Sequence, residues 1–211
     1  MKTRIPVLLM ALATIYGVAP AIAAGPGGGA ANPATRPACC VTPTVTAIDS
    51  EAAATLLWMR EEEKLARDVY LSLNDKWQDR IFRNIAASEQ KHFDALGSRI
   101  ALFGLSDPAL PTVGQFTNPT LQELYFSLRA SGVQSYSQAL TVGATFEDLD
   151  IRDLMTALET TTNPSLQTTY RNLLEGSKNH LRTFVFSLQA LGQDYTPQYT
   201  DPALFDAILG N

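Results

Sequence analysis

The chain contains only two histidines, and both close the same local frame. The first frame is Phe82-Arg83-Asn84-Ile85-Ala86-Ala87-Ser88-Glu89-Gln90-Lys91-His92; the second is Tyr170-Arg171-Asn172-Leu173-Leu174-Glu175-Gly176-Ser177-Lys178-Asn179-His180. An aromatic residue, Arg-Asn, an aliphatic residue and the closing histidine recur in register. Glu89 precedes His92 by three positions, which on a helix sends both side chains to one face, as a metal chelate requires. The second frame carries Ser177 at the glutamate position, so the chelating pair is only half repeated. A thiolate zinc or rubredoxin-type site is excluded, because the chain has no Cys-x-x-Cys pair.

Helices must position these frames, and apolar periodicity supplies them. At about 100° per residue, Leu56, Met59, Ala66, Tyr70 and Leu73 share one stripe of a helix from about Glu51 to Leu73, with Ser50 as its N-cap. Asn74-Asp75 ends it, and the short gap that follows implies an antiparallel neighbour. The second helix, from about Gln78 to Phe103, has Ile81, Ile85, Phe93, Leu96 and Ile100 as its apolar face and stops at Gly104. Pro108, Pro111, Gly114, Asn118-Pro119 and Gly132 break residues 105–134 into loop, with one short helix from about Thr120 to Ala130. A third long helix runs from about Ser135 to Glu159; Asn163-Pro164 separates it from a fourth, about Ser165 to Leu191. The tail, with Tyr195, Tyr199, Leu204, Phe205 and Ile208, is apolar enough to pack back on the helices. The expectation is an all-α, four-helix bundle of ferritin-like topology, with one long crossover between its second and third long helices.

Each long helix carries polar groups into its apolar stripe. On the first, Glu61-Glu62-Glu63 beside Arg60, Lys64 and Arg67 could be a solvated face of i,i+4 pairs. Yet the stripe through Met59, Ala66 and Tyr70 is flanked by Glu62 and Glu63, so at least one should point inward. On the third, Leu140, Ala144, Ile151, Leu154 and Leu158 enclose Glu147, with Asp150 at the edge. On the fourth, Tyr170, Leu173, Leu181, Phe184 and Leu188 share their face with Ser177 and His180, while Glu175 points away. A buried carboxylate must be paired or must coordinate a metal. The residues alone leave two readings open: a metal-free network of buried ion pairs, or a shared metal site built from all four helices.

The N-terminal quarter is of another kind. Residues 1–24 read as a secretory signal peptide, with Lys2 and Arg4, an apolar stretch from Pro6 to Ala19, and Ala21-Ile22-Ala23 for cleavage. A retained membrane anchor is the competing reading, and Gly17 and Pro20 favour cleavage. The expectation is a periplasmic or secreted protein with no membrane contact after cleavage. Loss of the peptide takes the formal charge from −5 to about −7. No basic cluster is visible, which argues against nucleic-acid binding. Residues 25–47 are Pro/Gly-rich and read as a disordered linker. Cys39 and Cys40, adjacent within it, could form a vicinal disulfide or cross-link two chains, and a homodimer is among the expectations. Residues 48–211 are left for one helical domain, enough for a substantial core.

Glu63-Lys64-Leu65-Ala66 with Tyr70, Ile81-Phe82-Arg83-Asn84-Ile85-Ala86 leading to Glu89 and His92, and Arg171-Asn172 with His180 resemble the ferritin-like superfamily, in particular its rubrerythrin-like branch. Residues 50–209 as a whole look like an uncharacterised domain-of-unknown-function family within it. The resemblance implies a mono- or dinuclear iron or manganese site, with Glu63, Glu89, His92, Glu147 and His180 as ligands. Ser177 departs from that pattern, since a neutral hydroxyl is a poor bridge between metal ions; Asp150, Glu62 or water would have to compensate. Two kinds of function follow. One is a non-haem oxidoreductase acting on iron, oxygen or peroxide; the other is a non-catalytic metal-binding bundle, or a metal-free structural and interaction bundle.

Overall fold

The computed structural model describes residues 48–210. Residues 1–47, which hold the expected signal peptide, the expected linker and Cys39-Cys40, lie outside the described residues. Within them the chain is all-helical: α1 (Ser50–Trp77), α2 (Arg80–Leu102), α3 (Pro119–Gly132), α4 (Tyr136–Thr160), α5 (Pro164–Ala190) and α6 (Pro202–Leu209).

Local chemistry sets the helix ends. Asp49, not Ser50, is the N-cap of α1: its carboxylate accepts from Ala52 N at 2.8 Å and leaves Ser50 as the first helical residue. The same helix runs past Asn74-Asp75 to Trp77 and stops where Gln78 turns left-handed, at φ 52°. Two residues then suffice for reversal, and Asp79 caps α2 through Ile81 N. Asn118, Ser135 and Asn163 cap α3, α4 and α5 in the same manner. Proline stands in the first turn of α3 and α5, where no backbone N–H is needed. The tail closes with a helix the sequence reading treated only as an apolar segment, α6, whose Phe205 and Ile208 are buried.

α1 packs along α2, and α4 along α5; α1 also meets α4, and α2 meets α5. Trp77 Nε1, at the end of α1, donates to Gly132 O at the end of α3, and the Trp77 and Phe82 rings both meet Tyr136 at the start of α4. Thus α4 starts at the end of the molecule where α2 begins, and residues 103–135 carry the chain back along its length. Phe82 near the start of α2 meets Phe184 near the end of α5, whereas Arg99 reaches Thr169, so these two helices run antiparallel.

The return segment changes the character of α1. The acids and bases around Glu61 are not a solvated face: Glu61, Glu62, Glu63, Lys64 and Asp68 are all buried. Glu61 accepts from the backbone N–H groups of Thr117 and Asn118. Lys64 Nζ pairs with Asp68 at 2.6 Å and donates to the carbonyls of Thr112 and Gln115, and Gly114 N donates back to Asp68. Loop backbone would otherwise be buried without partners; charged side chains of α1 supply them. On α2, Phe93 and Ile81 are only half-buried, and Phe82 takes the core position. Phe93 instead lies beneath the Arg60 guanidinium, whose carbon is 3.1 Å from the ring centroid.

Candidate metal centre

α1, α2, α4 and α5 each deliver one or two polar side chains to a common level. Glu89 on α2 is the hub. One of its oxygens lies 2.7 Å from His92 Nδ1, and the other lies 2.6 Å from His180 Nδ1 on α5. Glu63 from α1 stands 3.4 Å from His92 Nδ1, and Glu147 from α4 stands 3.4 Å from His180 Nδ1. Two triads result, Glu63/Glu89/His92 and Glu89/Glu147/His180, in each of which one donor atom per residue falls within 4.8 Å of the others. All five residues are buried. Donors about 2.1 Å from one ion lie about 3–4 Å apart, so both triads are of chelating size.

The short imidazole–carboxylate approaches do not have hydrogen-bond geometry. Six buried side-chain polar atoms among the described residues lack a hydrogen-bond partner, and five of them belong here: Glu63 Oε1, Glu89 Oε1, His92 Nδ1, Asp150 Oδ1 and His180 Nδ1. Buried polar atoms are nearly always partnered, and this concentration of orphaned donors and acceptors in one place is a group that could hold a metal. The charges say the same. Burial opposes a charged His92, yet Glu63 and Glu89 lift its pKa to about 11; burial likewise opposes His180, and Glu147 and Glu89 lift it to about 10. Burial also disfavours a charged Glu89, but His180 and His92 hold it far below the usual carboxylate range. Without a metal the imidazoles must serve as the cations, a part that metal ions can take.

Asp150 and Glu62 are buried close by but join neither triad. Burial, and then Glu147, push the Asp150 carboxyl well above its ordinary pKa; Ser177 stands beside it. The Ser177 hydroxyl itself donates to Leu173 O of its own helix at 3.1 Å, and the residue is fully buried. Glu62 accepts from Trp58 Nε1 and faces Asp153 and Asp150; burial first, then Asp153, raise its pKa. Tyr70 donates its hydroxyl to Glu147 Oε1 at 2.5 Å, which aims the other oxygen of Glu147 at His180. A surface pocket between α2 and α5, lined in part by Asp79, Arg80, Asn84, Thr183 and Ser187, reaches His180. Glu175 is exposed and pairs with Lys178.

The fold and site together define an all-helical protein with buried carboxylate and histidine groups that could hold a metal. Residues 52–211 match the family described as "Uncharacterized protein domain (DUF2202)", and the chain belongs to it. It is 46% identical over 165 residues to the uncharacterized protein MJ0754 of Methanocaldococcus jannaschii, covering 78% of this chain and 89% of that one. A crystal structure of hypothetical protein MJ0754 from Methanococcus jannaschii DSM 2661 superposes with a TM-score of 0.77 at 45% identity, covering 78% of this chain and 94% of the other.

Proposed function

We propose that the chain is a ferritin-like protein of the rubrerythrin-like kind, whose function rests on a two-metal carboxylate/histidine centre. The observation that carries this reading is the set of five unpartnered buried atoms converging from α1, α2, α4 and α5. The ring of helix contacts with its long return segment between α2 and α4 supports the topology. Glu89 would bridge, with Glu63 and His92 on one ion and Glu147 and His180 on the other. Asp150, beside the small Ser177, would compensate for the glutamate that position 177 lacks. Glu63, Glu89, Glu147 and Asp150 would then balance the charge of two divalent ions.

Carboxylate oxygen with imidazole nitrogen suits iron or manganese. Such a pair of ions would supply one-electron redox chemistry toward oxygen, peroxide or ferrous iron. The chain's own part is to hold the donors, to keep Glu147 oriented through Tyr70, and to shield the carboxylates of Glu63, Glu89 and Glu147 from bulk water, while the surface pocket leaves a way in at His180. Reconstitution with ferrous iron or manganese followed by metal analysis tests the centre; absence of bound metal sinks it. Oxygen or peroxide consumption on ferrous loading then separates turnover from mere binding. The uncharged, fully buried Ser177 favours binding without turnover as the second reading. A Ser177→Glu variant that gains oxygen or peroxide consumption on ferrous loading supports that view of the residue.

Export to a periplasm or the exterior belongs to the same proposal and rests on residues 1–24 alone. N-terminal sequencing of the mature chain tests it, and an intact Met1 removes it.

A further inference from the structure

One glycine stands at the contact between the two histidine frames. Gly176 lies in the interior of α5, between the exposed Glu175 and the fully buried Ser177. A Cβ added there would fall 2.5 Å from His92 Nε2 and 2.6 Å from His92 Cε1, closer than carbon contacts allow. The edge of the His92 ring is therefore laid directly on the α5 backbone. Nδ1, on the other flank of Cε1, points at Glu63 and Glu89. A methyl group at 176 requires the imidazole or the α5 backbone to shift, and a shift of the imidazole carries Nδ1 with it relative to the two carboxylates. The frame itself does not demand glycine, because Ser88 holds the corresponding place in the first copy.

We propose that Gly176 is a positioning residue for the metal centre: the side chain it lacks lets α5 back the His92 ring and fixes the direction of Nδ1. The proposal rests on the metal-centre reading. It assigns a helix-interior glycine, a residue that helices disfavour, to one ligand on a different helix.

Cobalt(II) titration of the metal-free full chain, followed by its visible spectrum, tests this directly. In Gly176→Ala, binding at the His92 position should weaken at least tenfold. Binding at the His180 position should stay within about twofold of wild type and vanish when His180→Ala is added. A Gly176→Ala titration superimposable on wild type, or an equal loss at both positions, overturns the proposal. Urea midpoints of the metal-free proteins supply an independent arm. Gly176→Ala should lower the midpoint in the wild-type background and fail to lower it in a His92→Ala background, where alanine is the better helix former. Equal lowering in both backgrounds also overturns it. A wild-type chain that binds no cobalt removes the metal-centre reading and the ligand-positioning role together, whereas the stability cycle alone decides the contact between Gly176 and the ring.

Discussion

The rings of His92 and His180 face each other with centroids 5.6 Å apart and planes inclined by 30°. The two are 88 positions apart in sequence and sit on antiparallel helices, with the Glu89 carboxylate addressing an Nδ1 on each. The repeated frame thus becomes two halves of one place, related by the reversal of α5 against α2.

Because Glu89 serves both halves, its removal should differ from that of any other acid. Glu89→Ala should abolish binding of both metal ions, whereas Glu63→Ala and Glu147→Ala should each leave one. Metal-to-protein ratios after reconstitution with manganese and desalting check this. One ion retained by Glu89→Ala would show that the carboxylate is not shared.

The metal-free protein should lose stability as pH rises. Burial is the leading cause that holds Glu62, Glu63 and Asp150 well above the ordinary carboxylate range. Each binds its proton more tightly folded than unfolded, so its contribution is whole below about pH 4 and is lost as pH rises through the folded pKa. His92 and His180 act in the same direction: raised from 6.5 to about 11 and about 10, they contribute fully below about pH 6 and lose that contribution toward those values. Glu89 opposes them, but its contribution is lost only in stronger acid, since its folded pKa is depressed. Tm of the metal-free chain should therefore fall between about pH 5 and pH 9, and metal loading should flatten the slope. A Tm that climbs over this interval contradicts the assignment.

Asp148 holds the tail. Its fully buried carboxylate accepts from Tyr195 Oη, from the backbone N–H groups of Gln198, Tyr199 and Thr200, and from Thr200 Oγ1, all between 2.6 and 3.1 Å. Asp148→Ala leaves these donors without their acceptor and should cost about 2–4 kcal/mol in urea unfolding. Limited proteolysis should then cut between Leu191 and Pro202 before the helices. An unchanged cleavage pattern would place the anchorage of the tail in α6 instead.

Lys64 and Asp68 form an ion pair at 2.6 Å with both side chains fully buried. Lys64→Met alone should destabilise by about 2–4 kcal/mol, because it takes the buried cation from Asp68, which keeps only Arg67 and Gly114 N, and leaves the carbonyls of Thr112 and Gln115 without their donor. The double variant with Asp68→Leu should lose less than the sum of the two single losses, because the Lys64–Asp68 interaction is already gone in either single variant. Denaturant unfolding of the two single variants and the double variant measures the coupling; additivity would mean the pair does not act as a unit.

Much of the helix layout was legible in one dimension. Period-3.6 stripes such as Tyr170, Leu173, Leu181, Phe184 and Leu188 mark buried faces directly, because a helix keeps one face toward the core. Proline and glycine likewise marked the return segment between α2 and α4. The N-cap at Asp49 was missed because Ser50, next to it, is an equally good capping residue. Phe93 was misplaced because an aromatic ring beneath a guanidinium has the same periodicity as one in the core.

The site divides along the same line. Residue type and spacing singled out Glu89, His92, Glu147 and His180 and left Glu62 and Glu63 as alternatives, with Glu63 chosen by the resemblance, since an acid or imidazole within an apolar stripe needs a partner wherever the stripe is buried. What lies across the helices had no local signal. The burial of Glu61, Lys64 and Asp68 depends on a return segment 46–57 positions further on. The contact of Gly176 with His92 depends on how closely α5 approaches α2. Periodicity fixes which way a side chain leaves its own helix. Only the packing of one helix on another determines what that side chain meets, because the distance between helix axes is set jointly by all the residues at their contact.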